Sequence, residues 1–356
     1  DKDKGKGITF NWTDGAEEDV HIGICEIPVK EDHKNDADYQ LKVQYSDRSG
    51  NQMKVNGTEV SEYVSPIMTV DTKNPEIKFE TSKPTTVDNE DTDDQKYQSV
   101  EVIIDEHNFR ASDVSVSGTA KDVTEKSIDT QEAQIKKLND YIKNSENWTD
   151  KGDLHTIVLP GDNLEIDDAI YDLEFSYEDL AKNSLDKETE HTTQFVLDRE
   201  APQDVTLTYS DNYTTPKKVL DSVIDAVTGK KYFYSKSVVT LEFSATDQIS
   251  GVHHFTWSYY KEDDTSSVNK ETGDDGYTEQ TVVAEHEDKS KLFTGSVTIP
   301  LNQAEKLEKD KAQLRGHFSY YATDNCEQVR TAITDDANLI VVDTKHPEVQ
   351  YAYTTP

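Results

Sequence analysis

Three times along this chain an alternating apolar–polar run ends in an aspartate-centred turn, and a short β-branched strand then stops at Asp-x-x-x-Pro. The first copy runs Tyr39-Gln-Leu-Lys-Val-Gln-Tyr45-Ser-Asp47, then Met68-Thr-Val70-Asp71 and Pro75. The second runs Tyr171-Asp-Leu-Glu-Phe175-Ser-Tyr177-Glu-Asp179, then Phe195-Val-Leu-Asp198 and Pro202. The third runs Phe318-Ser-Tyr320-Tyr-Ala-Thr-Asp324, then Ile340-Val-Val-Asp343 and Pro347. A period of two puts one set of side chains on one face, which specifies a half-buried strand and not a helix. Aspartate tolerates tight turns because its side chain accepts nearby amides. Proline fixes φ and removes a donor, so each Asp-x-x-x-Pro predicts a stiff joint where one unit ends and the next begins.

These joints divide the chain. Residues 1–72 read as the C-terminal part of one repeat, 73–201 as a second, 202–346 as a third, and 347–356 as the first strand of another. An echo supports the phase: Asn11-Trp12-Thr13-Asp14-Gly15 resembles Asn147-Trp148-Thr149-Asp150-Lys-Gly152, each upstream of an aromatic strand. The expectation is a window on a longer array. The predicted fold class is all-β, with tandem β-sandwiches. One amphipathic helix is inserted in the middle repeat at 130–144, where Ile135, Leu138, Tyr141 and Ile142 share a face. Two more short helices are predicted at 216–227, from Val219, Leu220, Val223 and Ile224, and at 302–313, from Ala304 and Leu307. Strands are predicted at 238–245, 254–260 and 292–299, and acidic loops at 86–96 and 261–277.

Composition excludes several function classes. Lysine and arginine number 37 against 72 acidic residues, a net charge of 37 − 72 = −35. A phosphate backbone or an anionic membrane surface would be repelled, so neither nucleic acid nor membrane is an expected partner. With 18 Tyr, 10 Phe and 3 Trp, the chain is too aromatic to be a disordered acidic tail. Cys25 and Cys326 fall in different repeats and are expected to be separate thiols. There is no run of 18 apolar residues.

The pattern Tyr-x-(Ala/Tyr)-x-Asp-x-Ala-Gly-Asn followed by (Val/Ile)-Asp-x-x-x-Pro resembles the immunoglobulin-like repeats of large Gram-positive (Firmicute) cell-surface proteins. Val100-Glu-Val-Ile-Ile-Asp105-Glu-His-Asn108-Phe109 and Asp247-Gln-Ile-Ser250-Gly251-Val252 are similar to further segments of that family. The third copy departs from the pattern, with Cys326-Glu327 where Gly-Asn would stand, which leaves its turn geometry open. The resemblance implies a secreted or cell-wall-attached extracellular protein. It also implies an adhesin-like role on a host protein, with immunoglobulin-binding, superantigen-like members among the related proteins. A passive stalk and a non-catalytic carbohydrate-binding module are the alternatives.

No catalytic constellation is legible, and a non-enzymatic protein is expected. His21, His107, His155, His191, His253 and His254 lack the spacing that would set two imidazoles on one metal. No phosphate-cradling glycine loop and no Gly-x-Ser-x-Gly elbow occurs. Calcium is the ion the acids suit, because it takes several hard oxygen ligands. The joint acids Asp71, Asp198 and Asp343 are the metal candidates, with the turn acids Asp47, Asp179 and Asp324 beside them. For binding, the helix is predicted to turn Gln131, Gln134, Lys137 and Lys143 outward, with Tyr141 and Trp148 adjoining. Trp257 reads as a buried immunoglobulin-sheet tryptophan, whereas Trp12 and Trp148 could serve either core or recognition. Asn11-Trp-Thr and Asn147-Trp-Thr formally match a glycosylation sequon.

Overall fold

A computed structural model describes residues 10–17, 20–28, 30, 32–82, 98–211, 219–236, 239–261, 280–286, 290–299, 313–343 and 347–352. The chain is all-β with one α-helix among the described residues. Residues 302–312 of the helix predicted at 302–313 and almost all of the two acidic loops lie outside them, and Gln313 opens a strand.

The first segment holds β1 (Phe10–Asp14) and β2 (His21–Cys25), paired antiparallel. A nested ladder follows, in which β3 (Ala37–Tyr39) pairs with β8 (Met68–Val70) and β4 (Lys42–Val43) with β7 (Tyr63–Val64). At its tip β5 (Met53–Val55) pairs with β6 (Thr58–Val60). None of the described residues before Pro75 is buried. This follows from architecture: paired strands without a facing sheet cannot close a core.

The second sandwich packs two sheets face to face. One has the order β12 (Thr149–Lys151), β13 (Leu154–Leu159), β10 (Ser99–Asp105), β9 (Glu76–Ser82), and the other β11 (Ser115–Lys121), β14 (Ala169–Ser176), β15 (Thr192–Leu197). The alternation in the sequence is the alternation in burial: Val100, Val102 and Ile104 point inward along β10, opposite Tyr171, Leu173 and Phe175 of β14. Helix α1 (Gln131–Ile142) lies against β11 and sends Leu138 and Ile142 into the same core.

The third sandwich repeats the plan with its own core. Its smaller sheet runs β16 (Gln203–Ser210), β19 (Val239–Thr246), β23 (Leu292–Ile299), β22 (Glu285–His286). Its larger sheet runs β17 (Ser222–Ile224), β18 (Lys231–Ser235), β26 (Asn338–Asp343), β24 (Gln313–Asp324), β20 (Val252–Lys261), β21 (Gln280–Val283), with β25 (Ile333–Thr334) beside β24. Strands β18 and β26 run parallel, while the rest of this sheet is antiparallel. Phe243, Phe255, Trp257, Tyr259 and Phe318 fill the space between the sheets. Trp257 is buried there, with its ring edge-on to Phe318 at 5.6 Å.

The helix predicted over 216–227 is absent wherever that span is described. Ser222–Ile224 forms an edge strand against β18, and Asp225 closes a turn by accepting the Val227 and Thr228 amides at 2.8 Å. The i, i+4 spacing of the valines imitated a helix. Their β-branched side chains, and the Asp225–Gly229 turn that follows, favour a strand instead.

Candidate cation sites at the joints

One turn recurs in both complete sandwiches and in the first segment. In each copy the first aspartate takes up the amide four residues ahead, with the amide two ahead added at Asp47 and Asp324, and a β-bridge closes the loop. Asp47 Oδ1 accepts the Ser49 and Asn51 amides at 2.8 Å, and Ser46 bridges Gln52. Asp179 Oδ1 accepts the Asn183 amide at 2.8 Å, and Glu178 bridges Ser184. Asp324 Oδ1 accepts the Cys326 and Gln328 amides at 2.8 Å, and Thr323 bridges Val329. A further copy sits at Asp122, which takes the Thr124 and Lys126 amides. The residue three beyond the aspartate is left-handed every time: Gly50 at φ 87°, Glu125 at 62°, Lys182 at 76° and Glu327 at 66°. The third copy therefore keeps the shared turn geometry despite Cys326-Glu327, because the backbone is fixed by the aspartate and not by glycine.

What differs is the fourth residue ahead. Asn51 and Asn183 donate through Nδ2 to the second carboxylate oxygen of Asp47 and Asp179, at 2.7 and 2.8 Å. Gln328 holds that position in the third copy and offers Asp324 only its main-chain amide. Asp324 is 2% exposed, and its Oδ2 is buried without a hydrogen-bond partner among the described residues.

Two of the three joint acids meet acids of the sandwich that follows them. Asp71 comes together with Glu106 and Asp179, and Asp198 with Asp247 and Asp324, each trio offering oxygens within 4.8 Å of one another. The sequence pointed to Asp71, Asp198, Asp179 and Asp324. Their pairing runs across the proline joint, and Glu106 and Asp247 complete the trios. Those two were missed, although both stand at matching places in the segments quoted above, just beyond β10 and β19. Asp343 is exposed and Asp47 lies in the core-less segment; neither joins an acidic cluster among the described residues.

The two trios differ electrostatically. In the first, Asn183 Nδ2 reaches both Asp179 Oδ2 and the Asp71 carbonyl, while Glu106 Oε1 accepts the Asn108 amide at 2.8 Å. Burial, then Asp71 and Asp179, push the Glu106 carboxyl above its usual range. In the second trio, all three members are buried. Asp198 accepts Glu200 N through Oδ1 at 3.2 Å and Ser250 N through Oδ2 at 3.0 Å. Asp247 Oδ1 accepts the Ile249 and Gly251 amides at 3.0 and 2.7 Å. Burial and Asp198 raise Asp247 to about 6, and burial with Asp198 and Asp247 raises Asp324 to about 8. Burial and the same carboxylates push the Cys326 thiol up to about 12, which keeps it protonated and an inert part of the seam.

That seam is built from Ile170 and Val196 of the second sandwich against Cys326 and Ile249 of the third. Val123 N donates to the Gln248 carbonyl at 2.9 Å, and Lys291 Nζ sits 2.9 Å from Asp122 Oδ2. Cys25 and Cys326 are both free thiols.

The helix does not present the face assigned to recognition. Gln134 is 2% exposed and pairs twice with Asp167, donating Nε2 to Oδ2 at 2.7 Å and accepting its amide at 3.2 Å. Gln131 Oε1 accepts the Ala120 amide, and Lys137 Nζ donates to the Glu165 carbonyl at 2.8 Å. Tyr141 is half-buried against Gly161. Trp148 is buried beside Phe109, with Nε1 donating to the Ile142 carbonyl at 2.7 Å. These side chains tie the helix to its sandwich; Lys137 and Lys143 stay exposed. Trp12, at the echoing position, is 68% exposed because its segment has no core to receive it. Among the histidines, His155 is buried between Asp150 and the Glu106 carbonyl, and His253 meets His254 through Nδ1 at 2.7 Å.

Fold and joints together define a protein of serial β-sandwiches with acidic seams. No family model and no curated protein matches this chain. Among solved structures, a Corynebacterium diphtheriae protein described as membrane anchored aligns with 85% of this chain and 68% of its own, at 11% identity. The TM-score is 0.19, too low to carry an argument about fold or function. No helix among the described residues is long and apolar enough to cross a membrane.

Proposed function

We propose that this chain is a non-enzymatic, extracellular bacterial cell-surface protein whose serial sandwiches hold a host-protein-binding face away from the cell. One observation carries the reading: two separately closed cores abut across Asp198–Pro202 through a seam with its own apolar contacts, hydrogen bonds and ion pair. Such a unit transmits position and orientation along its length, as a projecting scaffold must. The net charge of −35 supports the same reading, since it keeps crowded copies apart.

The binding face is better sought on the third sandwich than on the helix. Edge strand β17 and its flanks expose Val219, Val223, Ile224 and Val227, the last at 94%, and Tyr234 adds a ring on β18. An edge strand apolar on both sides is a feature that soluble domains ordinarily suppress unless a partner pairs with it. Immunoglobulin as the host protein rests on the sequence resemblance alone.

The test immobilises the fragment against purified immunoglobulin, serum and mucus glycoproteins, alongside a Val223→Lys, Ile224→Lys variant. Retention of one protein by the wild type and its loss in the variant supports the reading. Equal indifference of both forms leaves the passive stalk.

A further inference from the structure

We infer that Asp198, Asp247 and Asp324 bind one divalent cation of the calcium class that clamps the second sandwich to the third. Three carboxylates converge within 4.8 Å, all of them buried, and no lysine or arginine contact to any of them is seen among the described residues. Two oxygens on opposite sides of a calcium ion at about 2.4 Å stand about 4.8 Å apart, so three oxygens within that limit can reach one ion together. Smaller magnesium holds its ligands at about 2.1 Å and retains its waters, which suits this protein cage less well.

One buried oxygen points independently to a missing ligand. Asp324 Oδ2 has no hydrogen-bond partner among the described residues, although Asp324 is 2% exposed. Buried polar atoms without partners are rare because each forfeits its hydration without return. Here the oxygen lies beside an excess of negative charge, where a cation would satisfy it.

The surroundings are fixed before any ion arrives. The other oxygens of the trio are anchored by the amides of Glu200, Ile249, Gly251, Cys326 and Gln328. Asn325 Nδ2 donates to the Ser250 and Gly251 carbonyls at 2.9 and 3.1 Å, which locks the loop that follows Asp247 against the Asp324 turn. A cavity of about 390 Å³ opens on Asp198 and Asp247, with Asp167, Asp168 and Arg199 also in its wall, the last two paired with each other, and provides a route from solvent. The companion trio at Asp71 lacks this signature, since Asn183 already occupies Asp179 Oδ2.

The experiment is calorimetric titration of calcium chloride into chelator-treated protein at about pH 8, with thermal melts alongside. One ion per chain is expected, with submillimolar to millimolar affinity, as in extracellular modules. Excess calcium should raise the first melting transition by about 3 °C or more. Asp324→Asn should weaken binding at least about tenfold, whereas Asp179→Asn, in the companion trio, should leave the titration unchanged. Should Asp324→Asn fail to fold, Gln328→Asn serves instead: it keeps every carboxylate but caps Asp324 as Asn183 caps Asp179, and it too should weaken binding. Absence of heat and of any melting shift in the folded wild type overturns the inference. So does calcium binding undiminished in both trio variants.

Discussion

Lys291 Nζ of the third sandwich lies 2.9 Å from Asp122 Oδ2 at the turn that follows β11 in the second. The lysine is partly exposed, but the carboxylate it reaches is nearly closed to solvent. Burial opposes ionisation of Asp122, yet Thr124, Lys291 and the Lys126 and Thr124 amides together hold it at about 2.

Removing that lysine should therefore move Asp122 upward without restoring its ordinary value. In Lys291→Ala the carboxyl should titrate between about 2 and 3.8, as the hydroxyl and amide donors remain. The sign follows from linkage. A depressed carboxyl contributes stability above its unfolded value, and that contribution disappears as pH falls through the folded value. The variant should lose about 1 kcal/mol at neutral pH, a figure discounted for the exposed lysine. It should also begin its acid transition at higher pH, as followed by carboxyl NMR shifts and urea melts.

The trio at the joint behaves oppositely in chelator. Asp247 and Asp324 are raised to about 6 and about 8, so from their ordinary 3.8 upward the folded chain keeps protons the unfolded chain has shed. Their contribution is full below about 4 and is lost as pH climbs to about 8. Asp198 faces both groups, and Cys326 beside them remains a thiol throughout. Stability without calcium should thus decline between about pH 4 and 8 more steeply than stability in calcium. The difference between the two curves cancels titrations elsewhere in the chain. Calcium binding near pH 7 should release close to one proton, read from the dependence of titration heat on buffer ionisation enthalpy.

The helix is structural, and its deletion or truncation should be felt locally. Leu138 is fully buried, so Leu138→Ala should cost about 2–4 kcal/mol through lost contact and the cavity left behind. Trp148→Phe keeps most of the ring packing but loses the hydrogen bond to Ile142 O, a cost of about 1 kcal/mol. Differential scanning calorimetry should show the second sandwich melting earlier in both variants while the third is unmoved. A shift of both transitions would mean that the helix also supports the seam.

The strands were legible because burial on one face leaves a period of two in the residues, as the Tyr171–Phe175 run shows. The helix was equally legible from its 3.6-residue spacing, but its orientation was not. Gln134 reads as a surface residue until Asp167, far along the chain, supplies partners for both ends of its amide. The valines of 219–227 carried helical spacing by coincidence, and the turn at Asp225 was the overlooked signal. The acids of the joint were visible as repeated letters. Glu106 and Asp247 went unread because convergence of three carboxylates is a property of the folded loops, although their matching places in the two repeats were on view. That Gln328 replaces an asparagine was also visible, and only the geometry of the Asp179 turn gives the exchange meaning.

The left-handed residue of the repeated turn offers a direct test of how that turn is held. Lys182 and Glu327 adopt φ of 76° and 66°, a region in which a side chain costs about 1 kcal/mol relative to glycine. The first copy places Gly50 there at no such cost. Lys182→Gly gives up the Nζ contact to Glu178 at 2.6 Å, but both partners are exposed and such a pair contributes little. Glycine also gains freedom in the unfolded chain, which offsets part of the relief. The balance should leave Lys182→Gly and Glu327→Gly more stable than wild type by up to about 1 kcal/mol each, measured from urea midpoints at unchanged slope. A loss of stability in both would mean that the aspartate and its amides leave the left-handed residue unstrained, and that the turn gains nothing from glycine.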